Sequence, residues 1–301
     1  MRKRLKKLCI AAVVLAALGV ILCVVAFVGS KKAGTELFSQ TENEDGNYVY
    51  DYEFNGEAIK KLSVSTKYAD INIIGGADRD RIELVNFAEQ NFRMAVSATT
   101  ITIEDRDGFA GLFSFNFGGL RNYLNSFRIF GKVKTINIYL TDASSLRLVE
   151  TKIYSGDVTV KNCNNSADYD FKLKYGSVSV DSLTTGGTLS LVSSDGNIDI
   201  VNSTIKKQTS KLTHGYENIV HSEITELDAE IKTGYFKYET GDYDVISSVM
   251  TLASDDGRVR YGDDIYENGK FSQGMRYTGI SDIVQIVIDV HVEEGNIMIT
   301  K

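Results

Sequence analysis

Ile153-Tyr-Ser-Gly156-Asp-Val-Thr-Val160, Leu173-Lys-Tyr-Gly176-Ser-Val-Ser-Val180 and Ser193-Ser-Asp-Gly196-Asn-Ile-Asp-Ile200 are three versions of one phrase, with their glycines 20 residues apart. The phrase recurs at Gly215, Gly234, Gly257 and Gly295, at intervals of 19, 19, 23 and 38, the last being twice 19. A repeat of about 20 residues is too short to bury an apolar face alone, so successive copies must stack on one another as the coils of a solenoid. Four places after the seven glycines stand Val160, Val180, Ile200, Ile219, Tyr238, Tyr261 and Ile299, all apolar. Two places after them the residue is apolar in six of seven cases, Glu217 being the exception, and the position between is mostly polar. That is a strand with one face in the core and one in water. The glycine between two such strands fits a tight turn that needs positive φ or the close approach of the next coil.

Outward from the triplet, Leu62-Ser-Val64, Ala69-Asp-Ile71-Asn-Ile73, Ile82-Glu-Leu84 and Ile101-Thr-Ile103 alternate but lack the glycine register. They read as irregular or antiparallel strands capping the start of the stack, whose open edge would otherwise invite aggregation. Ile136-Asn-Ile138-Tyr-Leu140 begins the regular part. The long gap after Gly257 contains Asn268-Gly269, a hairpin signal, and reads as a double-length coil with a protruding hairpin. Ile283 to Val290 is the most apolar strand and is expected to close the far end. The fold expected is all-β: a single-stranded parallel β-solenoid, or β-helix, of about seven to nine coils with capping strands.

The N-terminus has another character. Residues 1–7 carry five basic side chains, residues 8–28 are 21 residues without a charge, and Ser30-Lys31-Lys32 follows. At 1.5 Å per residue the apolar run spans about 30 Å, the thickness of a bilayer core. The charge asymmetry puts residues 1–7 in the cytoplasm and everything after residue 30 outside. A cleaved signal peptide is the alternative, since Val24-Val-Ala26 satisfies the small-residue rule, but the run is longer than such segments have and lacks a polar stretch before that site. Leu22 is too bulky for lipoprotein processing at Cys23. The organisation expected is a cytoplasmic basic tail at 1–7, a transmembrane helix at 8–28, a linker at 29–47 and a solenoid domain at 48–301, in a single-pass protein of a bacterial cytoplasmic membrane.

Asp105 to Gly131 interrupts the strand pattern with Phe109, Phe113, Phe115, Phe117, Tyr123, Phe127 and Phe130 among glycines and asparagines. Phe109, Phe113, Phe115, Phe117, Tyr123 and Phe127 are the candidate partner-binding residues, on a hydrophobic loop that dips into a membrane or grips a partner. The same aromatics also fit a lid packed over the first coil, the commoner fate of such side chains.

Chemistry is sparse. The chain carries a formal charge of -7, and subtracting the five N-terminal basic residues leaves residues 30–301 at -12. That balance opposes nucleic acid or an anionic surface as ligand, since an acidic face gains nothing from counterion release. Cys163, alone in the exported part, reads as a bystander in a turn, with intermolecular pairing a lesser alternative; no disulfide framework or zinc pattern can be built. There is no proline, which suits strand ladders and excludes a proline-containing wall-sorting signal. Ser203-Thr-Ile-Lys206 and Lys232-Thr-Gly234 mimic two motifs of penicillin-recognising serine enzymes, but they stand too close together and lack the motif between them. His214, His221 and His291 have no metal-site spacing. Asp255-Asp256-Gly257 and Asp263-Asp264 lack the calcium-loop patterns and read as solvated turn acids. No catalytic, cofactor or metal residue is expected, and the protein is read as non-enzymatic.

The Ile136 to Leu140 strand, the Ser-Gly156-Asp-Val-Thr-Val160, Ser-Asp-Gly196-Asn-Ile-Asp-Ile200 and Glu-Gly295-Asn-Ile-Met-Ile299 phrases, and the single N-terminal span together resemble the putative-adhesin family of bacterial extracytoplasmic β-solenoid domains, whose function is unknown. The resemblance covers about residues 60–301. It implies a role in adhesion, envelope maintenance or envelope-stress signalling and supplies no catalytic residues. The expected partners are the membrane and an envelope protein or glycan. A self-assembling envelope scaffold is the alternative, and a polysaccharide-active enzyme ranks last.

Overall fold

Alternating inward valines and isoleucines are realised as strand. The computed structural model describes residues 39–42, 48–87, 92–105, 132–142, 144–239, 248–267, 270–274 and 286–300, and every strand or helix among them is a β-strand. The chain begins with β1 (Ser39–Glu42), β2 (Tyr48–Glu53), β3 (Lys61–Tyr68), β4 (Asp70–Ile74), β5 (Arg81–Val85), β6 (Phe92–Val96), β7 (Thr100–Asp105) and β8 (Thr135–Tyr139). The glycine repeats supply β9 (Leu148–Ser155), β10 (Val158–Lys161), β11 (Asn164–Asn165), β12 (Asp168–Tyr175), β13 (Val178–Asp181), β14 (Thr184–Asp195), β15 (Ile198–Val201), β16 (Thr204–Val220) and β17 (Glu223–Glu239). Last come β18 (Ser248–Asp256), β19 (Arg258–Tyr261), β20 (Asp264–Glu267), β21 (Lys270–Gly274) and β22 (Ile286–Thr300). The segment expected to span a membrane lies outside the described residues, among which no helix is long and apolar enough to cross one.

Two parallel ladders meet along one corner. The first runs β7, β3, β9, β12, β14, β16, β17, β22, β18. The second runs β8, β4, β10, β13, β15, then the C-terminal halves of β16, β17 and β22, then β19. Among the described residues this makes nine levels, about 38 Å from first to last at the interstrand spacing. A short third ladder of β11 and the starts of β14, β16 and β17 closes one side of four levels. Inward residues of the first ladder, such as Val149, Phe171, Leu191 and Ile231, face Val158, Val178, Ile198 and Phe236 of the second, all buried. Each fully buried aliphatic contributes roughly 1.5–3 kcal/mol.

The order of levels departs from chain order at both ends. The coil of β3 and β4 is not a cap: it stacks directly on β9 and β10, and β7 and β8 lie outside it. At the far end β22 sits between β17 and the pair β18 and β19. The expectation that the apolar Ile283 to Val290 stretch closes the stack is therefore corrected, since its described part lies inside β22. An edge strand leaves a row of backbone groups unpaired, so the strand richest in inward Ile and Val, with Ile288, Val290, Val292, Ile297 and Ile299 all buried, goes where both neighbours pair with it. The ends go to short antiparallel strands instead. β6 covers β7, and β5, β2 and β1 extend from β8, so Ser39–Glu42 of the expected linker is paired. At the other end β21 covers β18 and β20 covers β19. The expected Asn268-Gly269 hairpin turn lies outside the described residues, and the strands flanking it pair with β19 and β18 rather than with each other.

The repeat glycines form one column at the corner between the ladders. A Cβ on Gly156 would overlap the Ala69 carbonyl oxygen, and the same clash recurs from Gly176 to Gly156, Gly196 to Gly176, Gly215 to Gly196, Gly234 to Gly215, Gly295 to Gly234 and Gly257 to Gly295. This sequence of contacts reproduces the inverted order. Five of the seven also hold φ between 134° and 151°, a region L side chains rarely enter. Just after the column, Asp70 Oδ1 accepts from Asp157 N, Asp157 Oδ1 from Ser177 N, Asn197 Oδ1 from Tyr216 N and Asn296 Oδ1 from Arg258 N. Side chains thus satisfy amides of the next level where the ladder is interrupted.

The next corner uses a different device. Asn162, Ser182, Asn202 and His221 stack at φ of 47–58°, and the residues after them, Cys163, Leu183, Ser203 and Ser222, turn inward and are buried. Ser203 Oγ accepts from Leu183 N and donates to Val201 O, and Ser222 Oγ does the same with Ser203 N and Val220 O. Cys163 is buried in this column with its thiol pushed up to about 11 by burial, so the intermolecular pairing considered for it is not available to the folded chain.

Gly176→Ala and Gly295→Ala are each expected to lower stability by more than about 2 kcal/mol, because backbone must move on both sides. Gly76→Ala, at φ 68° with nothing within 4 Å of its Cβ, should cost only about 1 kcal/mol. Urea denaturation followed by far-UV circular dichroism measures the contrast; equal effects at the three positions would refute the column's role.

Candidate interaction surface

At a turn that needs glycine, the flanking residues point outward. On three consecutive levels those residues are tyrosines: Tyr68 beside Ala69, Tyr154 two places before Gly156, and Tyr175 beside Gly176. They are 60%, 44% and 39% exposed, which is unusual enough for large aromatics to mark a surface of interest. Their rings meet edge to face, with centroids 5.9 Å apart for Tyr68 and Tyr154 and 5.5 Å for Tyr154 and Tyr175. Lys174 Nζ lies 4.8 Å from the Tyr154 ring centroid and 5.1 Å from that of Tyr175, a cation–π arrangement that fixes the rings further. On the next two levels, Asp195 and His214 approach to 3.1 Å. On the level of His214 and the one after it, Tyr216 and Tyr235, each directly after its glycine, stack face to face at 5.0 Å and 9°. Tyr216 OH donates to Asp199 Oδ2 at 3.4 Å and Asn218 Nδ2 donates to Asp199 Oδ1 at 3.2 Å.

The ridge begins at the stem of the aromatic insertion. Asp105 ends β7 and Lys134 precedes β8, at the same corner one level out from Tyr68. Lys134 Nζ is 3.2 Å from Asp105 Oδ1 and 5.1 Å from the Phe87 ring centroid. Thr66 Oγ1 donates to Asp105 Oδ2, as does Lys67 N. Phe109, Phe113, Phe115, Phe117, Tyr123 and Phe127 themselves lie outside the described residues. The seven repeat glycines are brought together in one column. The ridge tyrosines were missed in the sequence because they occupy three different offsets from the glycine; their recurrence beside five turns of one register is the signal that finds them.

One ionisable group is deeply perturbed. Glu217, the exception in the apolar series, points inward like every residue at its register position, and it is fully buried. Gln208 Nε2 and Ser210 Oγ donate to its two carboxylate oxygens. Its ladder neighbours Ile198 and Phe236 and, next to Gln208 and Ser210, Leu189, Leu191, Leu227 and Ala229 are uncharged. Burial pushes its carboxyl up to about 7 against the lowering pull of the Ser210 and Gln208 hydrogen bonds. Sealed in the core, it cannot touch a bound molecule. Among the described residues no group of three or more His, Cys, Asp or Glu could hold a metal ion.

The stacked coils define an all-β, solenoid-like class of protein. The sequence matches the Toastrack DUF4097 family over residues 59–299, and the chain belongs to that family. No curated protein matches it. Similar solved structures include a putative adhesin from Bacteroides fragilis (13% identity, 86% of this chain and 98% of that one, TM-score 0.45). Others are a putative cell adhesion protein from Clostridium sporogenes (13% identity, 87% and 99%, TM-score 0.37) and a putative adhesin from Parabacteroides merdae (10% identity, 87% and 99%, TM-score 0.41).

Glu217 sets a pH dependence. The native carboxyl keeps its proton to about pH 7 whereas an ordinary one loses it near 4.5, so over that window the native state binds more protons than the unfolded state. Stability is therefore expected to fall as pH rises from about 4.5 to about 7, by up to roughly 3 kcal/mol, and to stay level above it. Glu217→Gln should flatten that fall and be the more stable protein at pH 8; an unchanged profile in urea titrations across the range would contradict the assignment.

Proposed function

We propose that the protein is a non-enzymatic, membrane-tethered binding protein that presents its stack of coils outside the cytoplasm and holds a cell-envelope or cell-surface partner through the tyrosine ridge. The observation that carries this is the file of exposed, mutually fixed tyrosines on a rigid corner. Side chains at such a corner are held by the backbone register on either side, so a partner meets a preorganised surface and less rotamer entropy is lost on contact. The tether rests on the charge-free run at residues 8–28 with five basic residues before it. It fits β1, the first described strand after that run, lying at the same end of the stack as Asp105 and Lys134, which flank the aromatic segment. Short antiparallel strands on both ends argue against end-to-end self-assembly, because each removes the open parallel edge that a second copy would extend.

Full-length protein reconstituted in lipid vesicles is expected to bind isolated bacterial envelopes, and the double variant Tyr154→Ala/Tyr175→Ala to lose most of that binding while unfolding at the same temperature. Co-sedimentation measures both. Envelope binding that survives the double variant, or none by the parent protein, overturns the proposal. Alkaline carbonate washing tests the tether: release of the intact chain from membranes would rule it out.

A further inference from the structure

We infer that the corner ridge binds a linear carbohydrate chain laid along the axis of the stack, which names the partner class for the binding role proposed above and rests on it. The shape of the apolar surface is the first argument. Tyr68, Tyr154 and Tyr175 stand just before the corner on three consecutive levels and, after one level without a tyrosine, Tyr216 and Tyr235 stand just after it on the next two, so five of six consecutive levels, about 24 Å, carry one. On one side the file is bounded by ion pairs, Lys152 with Glu150 at 3.3 Å and Lys172 with Asp170 at 2.6 Å. On the other side runs the polar row Thr159, Ser179 and Asp199. The apolar strip is thus confined to the residues on either side of the glycine column. A protein partner needs a broad desolvated core within some 20–30 residues a side, and this strip has length without breadth. A single polymer chain fits it.

The chemistry along the strip selects among polymers. The exported part carries -12, being -7 less the five N-terminal basic residues, and the ions flanking the ridge are already paired, so a polyanion gains little there. A sugar ring offers an apolar C–H face to stack on an aromatic and hydroxyls at its rim. The ridge answers both: phenol rings whose orientations are fixed by edge-to-face contacts at 74° and 75° and by Lys174, and rim groups that donate and accept, namely the tyrosine hydroxyls, Lys174, Asp199 and the Asp195–His214 pair. Tyrosine suits this division because one part of it is apolar and the other wet. A repeating ligand also matches a repeating site, since successive levels come at a constant rise and five of six present an aromatic ring.

The test is isothermal titration calorimetry of the full-length chain in a non-glycosidic detergent, with β-1,4-linked hexasaccharides of glucose, xylose and N-acetylglucosamine as probes. At least one should bind. Tyr154→Ala and Tyr235→Ala should each weaken it about fivefold or more, Tyr154→Phe should retain most of it, and all three variants should melt with the parent. Binding by none of the three sugars, or binding indifferent to both alanine variants, overturns the inference. If the sugars fail while the same protein still sediments with envelopes through the ridge tyrosines, the carbohydrate assignment falls and the binding role stands. If both fail, both fall.

Discussion

The contact on which the structure depends is that between a glycine Cα and the carbonyl oxygen of the glycine one level below. Each level must turn from one ladder to the other, and it must do so without pushing the next level beyond hydrogen-bonding distance. Any side chain at that point would occupy the space of a backbone oxygen. Seven glycines and Ala69, which starts the column, therefore fix the spacing of the stack, and both ladders follow from it. The inverted order at the far end obeys the same rule: Gly295 seats on Gly234 and Gly257 on Gly295. The chain satisfies the column first and its own sequence order second.

Within that frame the core tolerates one exception to its apolar rule. Glu217 takes the inward position its register demands, and Gln208 and Ser210 from the N-terminal half of the same strand, β16, supply its hydrogen bonds. Leaving a carboxyl there unpaired would cost several kcal/mol. The ladder that imposes the position is stronger than the preference of one side chain for water.

The sequence carried the repeat, the strand period and the corner glycines in plain form, because spacing of 20 and alternation of two are one-dimensional signals. What it hid was connectivity in three dimensions. Leu62 to Ile73 is a regular coil that lacks only the glycine, with Ala69 small enough to serve, and nothing local distinguishes it from a cap. Nor does the composition of the strand ending in Thr300 show that it inserts between two earlier coils; its high apolar content pointed to an end, where physical reasoning about unpaired edges points inside. The tyrosine ridge was legible residue by residue but not as a surface, since Tyr154, Tyr175 and Tyr216 share a corner only after the coils are stacked. The second corner was similarly obscured, because Asn162, Ser182, Asn202 and His221 share a left-handed backbone and not a residue type.

A rigid corner column and an aromatic file on its outer side are thus two consequences of one turn: glycine inside, exposed neighbours outside. The stacking order tests this account most directly. In a background free of native cysteines, pairs placed at Thr233 and Glu294, and at Glu294 and Asp256, lie on adjacent levels at about 4.8 Å, within reach of a disulfide, while Thr233 and Asp256 are two levels apart at about 9.6 Å. Oxidation should cross-link the first two pairs and spare the third. Cross-linking of Thr233→Cys with Asp256→Cys, with none to Glu294→Cys, would show coils stacked in chain order and contradict it.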